Sequence, residues 1–141
     1  MSKNHVLLTR IEKFSACHRL HSKVLTDEEN KNIYGPCNNP NGHGHNYTVE
    51  VTVKGPVDES TGMVMNLTDL KQAINQAVMK PLDHKNIDKD VEYFKDRTST
   101  VENIIIFIWD NMQSQLHDSS LLYKIKLYET DKNVAEYYGP N

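Results

Sequence analysis

Residues 43–54 constrain this chain more than any other stretch. His43-Gly44-His45 leads straight into Asn46-Tyr47-Thr48-Val49-Glu50-Val51-Thr52-Val53-Lys54, where apolar and polar residues alternate. That is the period of a half-buried strand. Strand side chains repeat every two residues, so His43 and His45 leave the backbone on one face. Two neutral imidazoles on one side of a rigid element form a platform for a metal such as zinc. Gly42 and Gly44 let the backbone turn and approach closely beside them. Cys37, just upstream, adds a thiol to the same neighbourhood.

The remaining elements are grouped rather than alternating. Residues 6–14 have strand character, which Ser15-Ala16-Cys17-His18 extends. A long polar connection follows from 21 to 46, of a length that usually marks function or mobility. Within it, Thr26-Asp27-Glu28-Glu29 has capping-box spacing and predicts a short helix over 27–34, closed by Gly35-Pro36. Gly55-Pro56, Asp58 and Gly62 read as a turn before a short strand at 63–65, so a hairpin is expected there. From Leu67 the period becomes helical through Leu70, Ile74, Ala77 and Val78, with Pro81 ending it. Ser99-Thr100-Val101-Glu102 repeats the capping-box spacing. It opens a helix whose apolar stripe is Val101, Ile104, Ile105, Ile108, Trp109, Met112 and Leu116. Residues 121–129 and 134–138 form a closing hairpin. The order ββααββ predicts one α+β domain over 1–141, an antiparallel four-stranded sheet with two helices on one face.

Composition narrows the function classes. The 141 residues are 38% hydrophobic and 25% charged, as in an ordinary globular domain. A net charge of -3 with no Lys/Arg run argues against a nucleic-acid partner. The longest apolar run, residues 104–109, is too short to span a membrane. The first four residues lack the apolar segment of a secretory signal. Two cysteines, twenty residues apart, do not form a disulfide framework, so a reduced, cytoplasmic setting is expected.

A catalytic zinc takes three protein ligands and keeps one position open. His43 and His45 supply two, and His18, near the end of the preceding strand, is the third candidate. Cys17 points to the opposite face from His18 and reads as a small buried residue. Cys37 is the candidate reactive thiol, since a nearby cation lowers a thiol pKa and makes it a base or nucleophile. Asp83-His84 follows a helix end, where a carboxylate-flanked histidine can shuttle protons. Glu129, at a strand end, offers two oxygens that match the edge of an amino-pyrimidine.

Five motifs together resemble one family. They are Phe14-Ser15-Ala16-Cys17-His18, Cys37-x5-His43-Gly44-His45-Asn46-Tyr47, Pro81-Leu82-Asp83-His84-Lys85-Asn86, Thr98-Ser99-Thr100-Val101-Glu102-Asn103 and Tyr128-Glu129-Thr130. In order and spacing they are similar to the animal-type 6-pyruvoyl tetrahydropterin synthases over nearly the whole chain. The resemblance implies a tunnelling fold, with sheets joining into a barrel and two trimers stacking into a homohexamer with active sites between subunits. It implies Zn²⁺ on His18, His43 and His45, with Cys37 as proton-abstracting base and Asp83 and His84 relaying protons. Glu129 would anchor the pterin ring, and Thr100 and Glu102 match positions near the pterin pocket. The basic, serine-bearing stretch of some relatives is absent before Phe14.

The implied reaction converts 7,8-dihydroneopterin triphosphate to 6-pyruvoyl-tetrahydropterin with loss of triphosphate, in tetrahydrobiopterin biosynthesis. The chain has no Gly-x4-Gly-Lys-Ser/Thr phosphate loop, so Arg19 and Lys23 beside the metal site are the candidates for the phosphates. Two rival readings are a 6-carboxytetrahydropterin synthase-like or side-chain-cleaving pterin enzyme, and a non-enzymatic zinc module. The carboxy-type enzymes usually have a shorter spacing from Cys to His-Gly-His. A zinc module would close the site with Cys37 as fourth ligand.

Overall fold

The computed structural model describes residues 4–141, so the first three residues of the expected 1–141 domain lie outside the described residues. The sheet is built on two long strands. β1 (His5–His18) and β2 (His43–Pro56) pair antiparallel along their whole length, from His5 opposite Pro56 to His18 opposite His43. The expected four strands are five. β3 (Lys85–Asn86) lies parallel to Ala16 and Cys17 of β1, while β4 (Leu122–Tyr128) pairs with β2 and β5 (Val134–Tyr137) with β4. The order is β3-β1-β2-β4-β5. Two residues carry no period, so β3 has no signature in the sequence.

The hairpin expected at residues 63–65 does not form. Asp58 N–H donates to the Met63 carbonyl at 3.0 Å, but no ladder continues from that bond. Asp58 closes the turn instead, accepting from the Ser60 and Thr61 N–H groups, and Val64 and Met65 pack against the core.

Five α-helical segments follow one another in the described residues: α1 (Asp27–Tyr34), α2 (Leu67–Ile74), α3 (Lys80–Leu82), α4 (Ile87–Asp90) and α5 (Val101–Gln115). Thr26 completes the first capping box, its hydroxyl accepting from Glu29 N–H at 3.1 Å while the Glu29 carboxylate accepts from Thr26 N–H at 2.9 Å. The second expected box is absent. Thr100 caps α5 by accepting from Asn103 N–H, one residue later than the box spacing requires. Helical winding also runs on past the expected stop at Pro81. A π turn over Asn75–Met79 joins α2 to α3, and Asn111 Nδ2 donates at 3.0 Å to the Ala77 carbonyl, which the proline ring nitrogen cannot reach as a donor.

The core lies between one face of the sheet and α2 and α5. Val49, Val51 and Val53 of β2 and Ile125 and Leu127 of β4 meet Ile104, Ile105, Ile108 and Met112 there, all buried. The stripe of α5 is wider than expected because Phe107 is buried too, against Tyr93 and Phe94 of the 3-10 turn (Glu92–Phe94) that precedes the helix. Leu67, at the start of α2, stays exposed. The long connection 19–42 has its own fastening. Asn30 is fully buried: its Oδ1 accepts from Ser22 N–H, and its Nδ2 donates to the carbonyls of Ser22, Leu25 and Thr26.

Candidate active site

The β1–β2 register brings the three histidines together. His18 and His43 are directly opposed at the end of the ladder, and His45 lies two residues along on the same face. Their ligating atoms all fall within 4.8 Å of one another. Gly42 makes the approach possible: its φ is +77°, and a Cβ there would stand 2.9 Å from the His18 carbonyl oxygen. A side chain at 42 would meet both strain and collision.

The buried nitrogens define what the cluster fits. His18 Nδ1 is 2.7 Å from the Ser99 carbonyl, which can only accept, so Nδ1 carries the proton and Nε2 keeps its lone pair. Among the described residues Nε2 is buried without a hydrogen-bond partner, as is His43 Nδ1. Buried polar atoms left unmatched are costly and uncommon. Burial lowers the His18 pKa to about 4, and it also lowers that of His45, against the opposing pull of the Glu129 carboxylate. His18 and His45 are therefore neutral near pH 7. Neutral imidazoles with a free, converging lone pair match a zinc-type cation.

Glu129 joins this group from the end of β4. One of its oxygens stands 3.9 Å from His18 Nε2, beyond hydrogen-bond reach, and its side chain is mostly buried. Tyr47, fully buried two residues beyond His45, stacks on Phe14 and leaves its hydroxyl unpartnered. Burial pushes its phenol up.

A family model described as 6-pyruvoyl tetrahydropterin synthase matches residues 7–140. The 6-pyruvoyl tetrahydrobiopterin synthase of Poecilia reticulata is 63% identical over 94% of this chain and 89% of its own length. The Homo sapiens protein of the same name is 58% identical over 94% of this chain and 90% of its own. The solved 6-pyruvoyl tetrahydropterin synthase of Caenorhabditis elegans superposes with a TM-score of 0.96 at 44% identity, covering 99% of both chains. The chain belongs to the 6-pyruvoyl tetrahydropterin synthase family. It is an enzyme of that family, with the family's α+β tunnelling fold.

The other expected residues are spread around the triad. Cys37 sits half-buried on a 3-10 turn (Gly35–Asn38), tied to the loop after His18 by the bond from Leu20 N–H to its carbonyl. It is not part of the converging ligand set. Cys17 does face away from His18 but is half-exposed, not buried as expected. Asp83 and His84 lie on the β1 edge. Ser15 N–H donates to Asp83 at 3.0 Å and holds its carboxyl below the usual range; its other oxygen is 2.9 Å from His84 Nδ1. His84 has φ +63° and its ring is exposed. Thr100 spends its hydroxyl on the α5 cap, and Glu102 is exposed in the first turn. Arg19 donates from Nε to the Asn38 carbonyl at 2.9 Å, and Lys23 pairs with Asp96 at 3.2 Å.

Two residues were not expected as parts of the site. Ser99 fixes the His18 ring through its carbonyl, and its hydroxyl donates to Asp88 at 2.6 Å. Asp88 in turn accepts from the Arg19 N–H at 2.7 Å. Ser99 was legible only as a helix-start residue, and Asp88 carried no signal.

Proposed function

We propose that this enzyme is a zinc-dependent carbon–oxygen lyase of tetrahydrobiopterin biosynthesis, converting 7,8-dihydroneopterin triphosphate to 6-pyruvoyl-tetrahydropterin with elimination of triphosphate. The observation that carries the reading is the set of three strand-end imidazoles whose nitrogens converge, those of His18 and His43 without a hydrogen-bond partner among the described residues, beside the Glu129 carboxylate. His18, His43 and His45 would hold Zn²⁺, a Lewis acid that polarises the oxygens of the substrate side chain. Glu129 binds the ring through two parallel hydrogen bonds, with Thr100 and Glu102 bordering that pocket. Cys37 accepts a proton from a side-chain carbon. The bond from carbon to the triphosphate oxygen breaks with its electron pair on the leaving group. His84, oriented by Asp83, returns a proton as the product tautomerises.

The single domain works as a homohexamer, a dimer of trimers, in the cytoplasm. Support for sheets that join comes from two edges: among the described residues β1 is paired by β3 only at Ala16 and Cys17, and β5 is paired by β4 alone. Exposed Leu7 and Ile11 on β1 add apolar surface along the first of them. An exposed His84 on that same edge suits a site completed by a second copy. No described helix is long and apolar enough to cross a membrane. The closed zinc module is disfavoured because Cys37 stands outside the ligand cluster.

The test is direct. Zinc-loaded protein is incubated with dihydroneopterin triphosphate and the released pterin identified by mass. A pyruvoyl side chain is expected; a carboxylated product would move the enzyme to the carboxy-type branch, and no product would overturn the reading.

A further inference from the structure

A cleft of about 430 Å³ opens beside His18, between the loop at residues 19–24 and the segment 86–98. Its charge is opposite to that of the whole chain. Arg19, Lys23, Lys89, Lys95 and Arg97 line it against two carboxylates, Asp88 and Asp96, although the chain carries a net -3. Clefts lined by one sign of charge concentrate ligands of the other.

The cations differ in how free they are. Arg19 is committed to the Asn38 carbonyl, and both Asp88 oxygens are taken by the Arg19 N–H and the Ser99 hydroxyl. These groups hold the loop and the His18 ring. Lys89 makes no ion pair among the described residues. Lys23 with Asp96 and Lys95 with Glu92 form exposed pairs, which contribute little and exchange readily for a stronger anion. Arg97 lies over the Tyr93 ring at 4.1 Å and donates from Nη1 to the Tyr93 carbonyl at 3.3 Å. That pre-orders the guanidinium while leaving its remaining N–H groups free to bind.

We propose that this cleft seats the triphosphate of the substrate, anchored by Lys89, Lys95 and Arg97 with Lys23 at the rim. The assignment rests on the function proposed above. It places the leaving group's charge against cations on one side of the metal ligands, with the pterin-binding carboxylate of Glu129 reaching the same histidines from β4. Arg19 becomes a loop fastener. The cations neutralise the negative charge that gathers on the triphosphate oxygen as its bond to carbon breaks.

The experiment compares the zinc-loaded protein with a Lys89→Gln/Lys95→Gln/Arg97→Gln variant and with Lys89→Gln alone. All three positions are exposed, so folding is checked by circular dichroism and zinc by elemental analysis, before and after each titration. Inorganic tripolyphosphate, titrated calorimetrically, should bind the triple variant at least about tenfold more weakly, and Lys89→Gln should fall between. The wild-type affinity should drop as ionic strength rises. KM for dihydroneopterin triphosphate should rise by a similar factor, while affinity for a phosphate-free pterin is unchanged. Equal tripolyphosphate affinity in wild type and triple variant would overturn the site. Weaker tripolyphosphate binding with an unmoved KM would make it a site for free polyphosphates or nucleotides and overturn the substrate assignment. A wild-type protein that binds tripolyphosphate but turns over no pterin triphosphate fails at the function reading, and the assignment to substrate falls with it.

Discussion

The two halves of one strand face do opposite work. Along β2 the inward positions read His43, His45, Tyr47, Val49, Val51 and Val53. The valine half lies under α2 and α5 and is fully buried. In the histidine half His43 Nδ1 has no hydrogen-bond partner among the described residues, and Tyr47, where the two halves meet, leaves a hydroxyl unmatched. Both halves use the same two-residue period and the same ladder to β1. What differs is the chemistry presented and what lies above it: the valine half makes the fold, and the histidine half takes its rigidity from the fold while lowering its stability. A site placed where two long strands end is held firmly and remains open.

The sharpest way to break this contrast is at the histidine half. Replacing His45 with Ala, or His43 with Ala, should abolish most zinc binding and reduce turnover by roughly a thousandfold or more, since a three-ligand site loses a third of its donors. The folded state should survive in both, because the core residues are untouched. Elemental analysis with a melting curve checks this; full zinc in both variants would remove the triad as the metal site. Next in size, Cys37→Ala should retain zinc and substrate affinity but lower turnover by about a hundredfold to ten-thousandfold, the range for a missing general base. Zinc loss in that variant would instead make Cys37 a fourth ligand.

Glu129→Gln sharpens the comparison from the neighbouring strand. It keeps the size but puts a donor where the ring needs an acceptor. Pterin binding should weaken by at least about tenfold, following a loss of roughly 2–4 kcal/mol for a charge-assisted contact with a donor left unmatched. Fluorescence titration reads it, and zinc content should not move. At the valine half, Val51→Ala should do the reverse. It should cost roughly 2 kcal/mol of stability through the cavity it leaves, with zinc stoichiometry unchanged. Loss of zinc in Val51→Ala would mean that the two halves are not separable.

This contrast also explains what could be read from the chain. Long periodic segments were legible: β1, β2, the α5 stripe and the closing hairpin follow patterns that burial imposes. The histidine triad was legible because two of its members share a strand face by spacing alone, and His18 was reachable as the end of the neighbouring strand. Pieces that depend on tertiary partners were not. Residues 63–65 have strand composition, yet Val64 and Met65 are taken up in packing against the core and no ladder forms. Winding persists past Pro81 because Asn111, thirty residues downstream in another helix, satisfies the stranded Ala77 carbonyl. Ser99 and Asp88 meet around His18 through three separate elements, and no local pattern encodes that meeting.

The smallest expected effect tests the cost of the histidine half in the metal-free protein. His18 has its pKa lowered by burial to about 4 from a model-peptide value of 6.5. The folded state therefore resists a proton that the unfolded chain accepts readily. Between these two values the unfolded state binds more protons, so stability rises with pH and falls as pH drops below about 6.5. The slope from this one group is at most about 1.4 kcal/mol per pH unit, and the loss levels off near the lower pKa, where the folded state also protonates. Well above pH 6.5, where both states are unprotonated, the group contributes no slope. Urea unfolding of the metal-free protein at pH 5 and pH 7 should show this difference, and His18→Gln should remove most of it. Zinc binding should steepen the acid loss in the native protein, because each ligand must shed its proton to bind the metal. A metal-free stability that is flat from pH 5 to 7 would mean that His18 is solvated in the absence of metal, and that the orphaned nitrogen is not a standing cost of the fold.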